Sequence, residues 1–75
     1  KAMLTKDRIA DIENVVTVRL RTRNQDDTPK NRLTVLHELR DEWLAEVLVP
    51  EDFDRWLIAI EIMISKADYA FHNRI

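Results

Sequence analysis

The sequence contains no cysteine and no glycine, and only two prolines among its 75 residues. Without cysteine there is no disulfide and no thiolate zinc cluster to stabilise a small fold. The lack of cysteine is also compatible with a reducing cytoplasm, where we expect the protein to work. Without glycine the backbone cannot approach a phosphate closely enough for a P-loop or a dinucleotide-binding turn, so both chemistries are excluded. No uninterrupted apolar run reaches the length of a membrane span, and nothing resembles a secretory signal. An excess of one charge is missing as well: 12 basic residues stand against 14 acidic ones, for a net charge of −2. Nucleic acid is therefore disfavoured as a partner, since no chain-wide basic footprint exists. Lys1-Ala2 ahead of Met3 reads as a cloning remnant, with Met3 as the natural start.

The residues present repeat at helical spacing, and they predict one all-α domain over 1–75 built from three helices. Ile9, Ile12, Val16 and Leu20 recur along a first helix from Lys6 to about Arg23, with Thr5 as its N-cap. Acidic residues come early in it and Arg19, Arg21 and Arg23 late, as the helix dipole favours. One rival reading stands beside this: Val16-Thr17-Val18-Arg19-Leu20-Arg21 alternates and is rich in β-branched residues, so it could form a strand. Such a strand would need a second copy to pair with, as in ribbon-helix-helix DNA-binding proteins. Thr28-Pro29 reads as the N-cap and first position of a second helix running to about Leu48. Leu33, Leu36, Leu39, Trp43, Leu44 and Val47 form its apolar stripe, and Glu38, Asp41, Glu42 and Glu46 are expected to project away from it.

The third helix organises the chain. Pro50 fits its first position, with Glu51, Asp52 and Asp54 in the first turn. At about 100° per residue, Phe53, Trp56, Leu57, Ile60, Met63, Ile64, Ala67 and Phe71 fall on one broad face that predicts core packing. Ile58, Ile62 and Tyr69 fall opposite. The short Val49-Pro50 connection predicts an antiparallel hairpin of helices 2 and 3, with helix 1 packed across it. A domain this small buries only about 60% of the surface its unfolded chain exposes. The second stripe, Ile58, Ile62 and Tyr69, is therefore expected to meet another copy in a homo-oligomer, or a different partner. The alternative is that helix 1 covers it.

Few residues suggest chemistry, and none suggests catalysis, a metal or a cofactor. Arg40 interrupts the leucine stripe of helix 2; it either pairs with Glu61 or Asp68 across the hairpin or contacts an anion at an interface. Arg19, Arg21 and Arg23, with Lys30 and Arg32 beyond the loop, make a locally basic region suited to solvent or to a phosphate-bearing ligand. His37 and His72 have no carboxylate or thiol at ligand spacing. Tyr69 and His72, three apart, share a helix face and could stack on a ligand. The Glu38-Leu39-Arg40-Asp41 run supplies half of the magnesium-binding pattern of all-α nucleotide pyrophosphatases, and helix 3 does not complete it.

The last helix carries Ile60-Glu61, then Ala67-Asp68-Tyr69-Ala70-Phe71 with Arg74 close behind. This pattern resembles the C-terminal helix of phage anti-CBASS proteins, small helical sponges that sequester cyclic oligonucleotide immune signals. Leu33, Leu36, Leu39-Arg40 and the proline-containing turn are similar in layout to that family. The resemblance implies a homo-oligomer that traps a cyclic nucleotide between subunits, with Thr28, Lys30 and Arg74 near its phosphates. Where the family carries a Tyr-His element that stacks on the base, this chain has Val18-Arg19-Leu20-Arg21-Thr22-Arg23, which leaves Tyr69 as the available ring. The sequence thus predicts a non-enzymatic binding protein of this sponge type. The alternatives are a protein-interaction factor, such as a phage inhibitor or an antitoxin-like subunit, using the Ile58–Ile62–Tyr69 face, and a ribbon-helix-helix-like DNA binder.

Overall fold

The computed structural model describes residues 4–45 and 52–73. Three helices, α1 (Thr5–Thr22), α2 (Pro29–Ala45) and α3 (Phe53–His72), account for nearly all of them, and no strand occurs among the described residues. The strand reading of Val16 to Arg21 is thereby set aside. In that segment Val16 and Leu20, one helical turn apart, are buried while Val18 is exposed, so the period of burial is helical despite the alternating residue types.

The helix ends follow local chemistry. Leu4, rather than Thr5, is the N-cap of α1; its carbonyl accepts from the N–H groups of Asp7 and Arg8 and no side chain caps the helix. At the other end Asn24 takes a left-handed conformation, φ 58°. The Gln25 N–H then donates to the Leu20 carbonyl at 2.9 Å and the Asn24 N–H to the Arg21 carbonyl at 3.0 Å. This 6→1 and 5→2 pair is a Schellman closure, with asparagine where glycine is commoner. Thr28 caps α2 as expected, its Oγ1 accepting from the Asn31 N–H at 3.1 Å, with Pro29 behind it. Asp52, left-handed at φ 61°, is the N-cap of α3. The expected roles of Pro50, Val47 and Leu48 lie outside the described residues.

The hairpin of α2 and α3 is antiparallel. Stepping back along α2 from Trp43 to Arg40 steps forward along α3 from Trp56, whose ring meets Trp43 edge-on with centroids 6.1 Å apart, to Glu61, 2.9 Å from Arg40. Helix α1 lies across this hairpin: Arg8, near its start, reaches Trp56 on α3, while Arg19 and Arg23, near its end, reach Glu42 and Glu38 on α2. The core joins Ile12, Val16 and Leu20 of α1, Val35, Leu36 and Leu39 of α2, and Ala59, Ile60 and Met63 of α3. Each large apolar side chain among them contributes about 1.5–3 kcal/mol by leaving water. Ile9, Trp43, Trp56, Leu57, Ile64 and Ala67 pack around them, partly buried.

Two expectations about packing, on Leu44 and on Glu38 and Glu42, are corrected, and one alternative, that α1 covers the second stripe of α3, is set aside. Leu44 is exposed rather than part of the α2 stripe. Its direction is set by Leu39: five residues on, Leu44 has rotated well off the core, and Val35 takes the buried place. Glu38 and Glu42 do not project away; they turn toward α1 and receive its arginines. Ile58, Ile62 and Tyr69 are not covered by α1. No helix among the described residues is long and apolar enough to cross a membrane.

Candidate functional site

Arg19 and Arg23, at the end of α1, are neutralised within the chain. Arg19 Nη1 lies 2.9 Å from Glu42 Oε2 and 3.7 Å from Glu38 Oε1. Arg23 forms two parallel bonds to Glu38, Nη1 to Oε2 at 3.1 Å and Nη2 to Oε1 at 2.7 Å. Such a two-pronged guanidinium–carboxylate pair fixes orientation as well as charge. Hydrogen bonding from Arg23 holds the Glu38 carboxyl below its usual range, with the charges of Arg23 and Arg19 adding to the effect. The bond to Glu38 likewise raises Arg23, keeping it charged. These arginines therefore staple α1 to α2, and a phosphate at this place would have to displace two carboxylates.

The remaining basic candidates are dispersed. Arg21 is exposed on α1, and Lys30 is exposed in the first turn of α2, where its carbonyl accepts from Thr34 Oγ1. Thr28 Oγ1 is engaged as the helix cap. Arg32 bonds Asp27 at 3.0 Å. Arg40 pairs with Glu61 at 2.9 Å, as one of its two sequence readings has it. Its Nε is buried with no hydrogen-bond partner among the described residues. The arginine thus lays its stem on the hairpin and turns its head to the rim. Arg74 lies outside the described residues. No group of three or more metal-ligating side chains is found among those described.

The concavities do not gather these candidates. An open hollow of about 450 Å³ is lined by Asn14, Val15, Val18, Arg19 and Thr22, all on α1, and so lacks facing walls. A groove of about 280 Å³ runs past Val15, Leu39, Trp43 and Trp56 and is almost wholly apolar. The third, about 190 Å³, has Arg32, Lys66 and Glu13 at its rim. It is smaller than the roughly 300–1,000 Å³ typical of a pocket that encloses a small ligand. None of these three concavities is an enclosed nucleotide pocket.

The outward face of α3 is different in kind. Ile58, Ile62 and Tyr69 are 56%, 39% and 70% exposed, directly behind the buried Ile60 and Met63. Arg55, Ser65 and His72 complete this face. His72 Nδ1 lies 3.0 Å from the Asp68 carboxylate and its ring meets Phe71 edge-on, so it is held by its own helix rather than stacked on Tyr69. Leu44, near the end of α2, is a further exposed apolar side chain. Sequence periodicity located the α3 stripe, and its exposure in the fold agrees with that reading. Compared with known proteins, the chain matches no family model, no curated protein and no solved structure.

Proposed function

We propose that the protein is a non-enzymatic helical binding module whose working surface is the outward face of α3. The observation that carries this reading is the exposure of Ile58, Ile62 and Tyr69 on one side of a helix whose other side is fully used in the core. A helix apolar on two sides is ordinarily covered on two sides. Contiguous exposed apolar surface rimmed by polar groups is typical of interaction sites. Arg19 and Arg23 support the same assignment by being occupied, since Glu38 and Glu42 already neutralise them.

A second reading, a sponge holding a cyclic nucleotide or other phosphate-bearing ligand between subunits, is favoured by one observation. Arg21, Lys30 and Tyr69 are exposed and engage no ion pair among the described residues. In this reading ring and charges become a site only when a second subunit closes over them, and binding needs no turnover.

Native mass spectrometry of protein purified without denaturation tests both. A complex of protein chains without added mass, disrupted by Ile62→Asp, supports the interaction module. A few hundred extra daltons per site, together with a rise in Tm on adding cyclic nucleotides, supports the sponge and overturns the first reading. A bare monomer at every concentration overturns the sponge and leaves a different protein as the partner of the α3 face.

A further inference from the structure

We infer that the partner on the outward face of α3 is a second copy of the same chain, lying parallel, α3 against α3. The inference rests on the interaction reading above and identifies its occupant. Arg55, Ile58, Ile62, Ser65, Tyr69 and His72 follow one another along this face at alternating intervals of three and four residues. That is the spacing of a coiled-coil seam, with Arg55, Ile62 and Tyr69 in one set of layers and Ile58, Ser65 and His72 in the other. All of the seam positions except Ile58, Ile62 and Tyr69 are polar, so the seam is short and its specificity must come from its flanks.

The flanks carry the orientation. On one side of the seam stand Asp54, Glu61 and Asp68, all exposed and all acidic; on the other stand Ala59, Lys66 and Asn73. Two antiparallel copies would place each acidic row against its own copy, setting like charges face to face. Two parallel copies set the acidic row against the row containing Lys66. Glu61 then falls opposite Lys66 of the second copy at the five-residue offset that coiled-coil flanking pairs use, and Arg55 falls beside the second copy's Asp54. Glu61 already bonds Arg40 through Oε1, yet its side chain remains 52% exposed and able to accept again. The small Ser65 leaves room in its layer for the two Tyr69 rings that follow. Helices α1 and α2 pack on the opposite side of α3 and reach its flanks at the buried Ala59 and at Glu61, while the seam positions Arg55, Ile58, Ile62, Ser65, Tyr69 and His72 all remain exposed.

Because the chain has no cysteine, Asn73→Cys gives a single site for a spin label, and distance measurement on the intact protein reads the orientation. Parallel copies hold the two labels near each other, on helices with axes about 10 Å apart. Antiparallel copies, with the seam centred between Ile62 and Ser65, separate them by roughly 28 Å at 1.5 Å of rise per residue. Sedimentation of Lys66→Glu gives an independent reading. The expected result is a dimer loosened about ten-fold at low salt, recovering in about 1 M salt, with unchanged helical circular dichroism. The long label distance, or a dimer indifferent to Lys66→Glu, overturns the parallel seam. A complex with a different chain that Ile62→Asp abolishes overturns the second copy and leaves the interaction module standing. A monomer at all concentrations overturns the second copy and leaves only a different chain as the occupant of this face.

Discussion

Arg8 sits with its guanidinium carbon 5.7 Å from the centroid of the Trp56 ring, and Nη2 is 3.7 Å from the Asp52 carboxylate. At 2% exposure Arg8 is the buried charge of the core region, and its aromatic and acidic neighbours both belong to the start of α3. A guanidinium tolerates such burial because it is weakly hydrated and its flat face suits an aromatic ring. Replacing Arg8 with alanine removes ring contact, charge contact and packed stem together. We expect a loss of about 2–4 kcal/mol in urea unfolding, with a shift in tryptophan emission from Trp56. Arg8→Met keeps the stem and should cost less; an equal cost would mean that packing plays no part.

Acid should weaken the α1–α2 staple. The Glu38 carboxyl titrates below its ordinary value of 4.5 in the folded chain, chiefly because Arg23 bonds its charged form. The unfolded chain thus takes up this proton at a higher pH than the folded one. The stabilisation is complete above pH 4.5 and is lost as the pH falls through the lowered folded value. Glu38→Gln should be less stable at neutral pH and show a shallower decline over that acid window. Parallel stability–pH curves for the two proteins would rule this out.

The Arg40–Glu61 pair should contribute register more than stability. With side chains 29% and 52% exposed it is largely solvated. A double-mutant cycle with Arg40→Ala and Glu61→Ala should give a coupling of about 0.2–1 kcal/mol. A much larger coupling would mean that the pair is drier than this geometry implies.

Close approach at Ala59 should make it intolerant of growth. The residue is fully buried in α3 beside Ile60, also fully buried. Ala59→Leu should cost about 1–3 kcal/mol by overpacking. Ile60→Ala should cost about 2–5 kcal/mol through the cavity it leaves, enough to unfold much of a domain this small at 37 °C. Thermal melts followed at 222 nm decide both.

Much of this architecture is legible in the sequence, because burial in helices repeats with the period of the helix. Ile12, Val16, Leu20, Leu36, Leu39, Ile60 and Met63 are found where their spacing puts them. What escapes is whatever depends on two helices meeting. Arg8 looks solvated beside Asp7 until Trp56 and Asp52 arrive from a distant part of the chain. Glu38 and Glu42 read as a solvent face because nothing local says that α1 will cross there. Val35 and Ala59 are overlooked among larger neighbours, although a small side chain is what lets backbones come close. At the candidate surface Ile58, Ile62 and Tyr69 are legible, while the occupation of Arg19 and Arg23 is not.

Asp52 has a further consequence for motion. This left-handed residue begins α3, accepting from the N–H groups of Arg55 and Trp56, and its carboxylate meets the arginine of the second turn of α1. Two helix beginnings far apart in sequence thus share one fastening. Fraying at the start of α1 and unwinding at the start of α3 become a single opening event instead of two independent ones. Amide protons in the two first turns should exchange at matched rates, and loosening either turn should speed both.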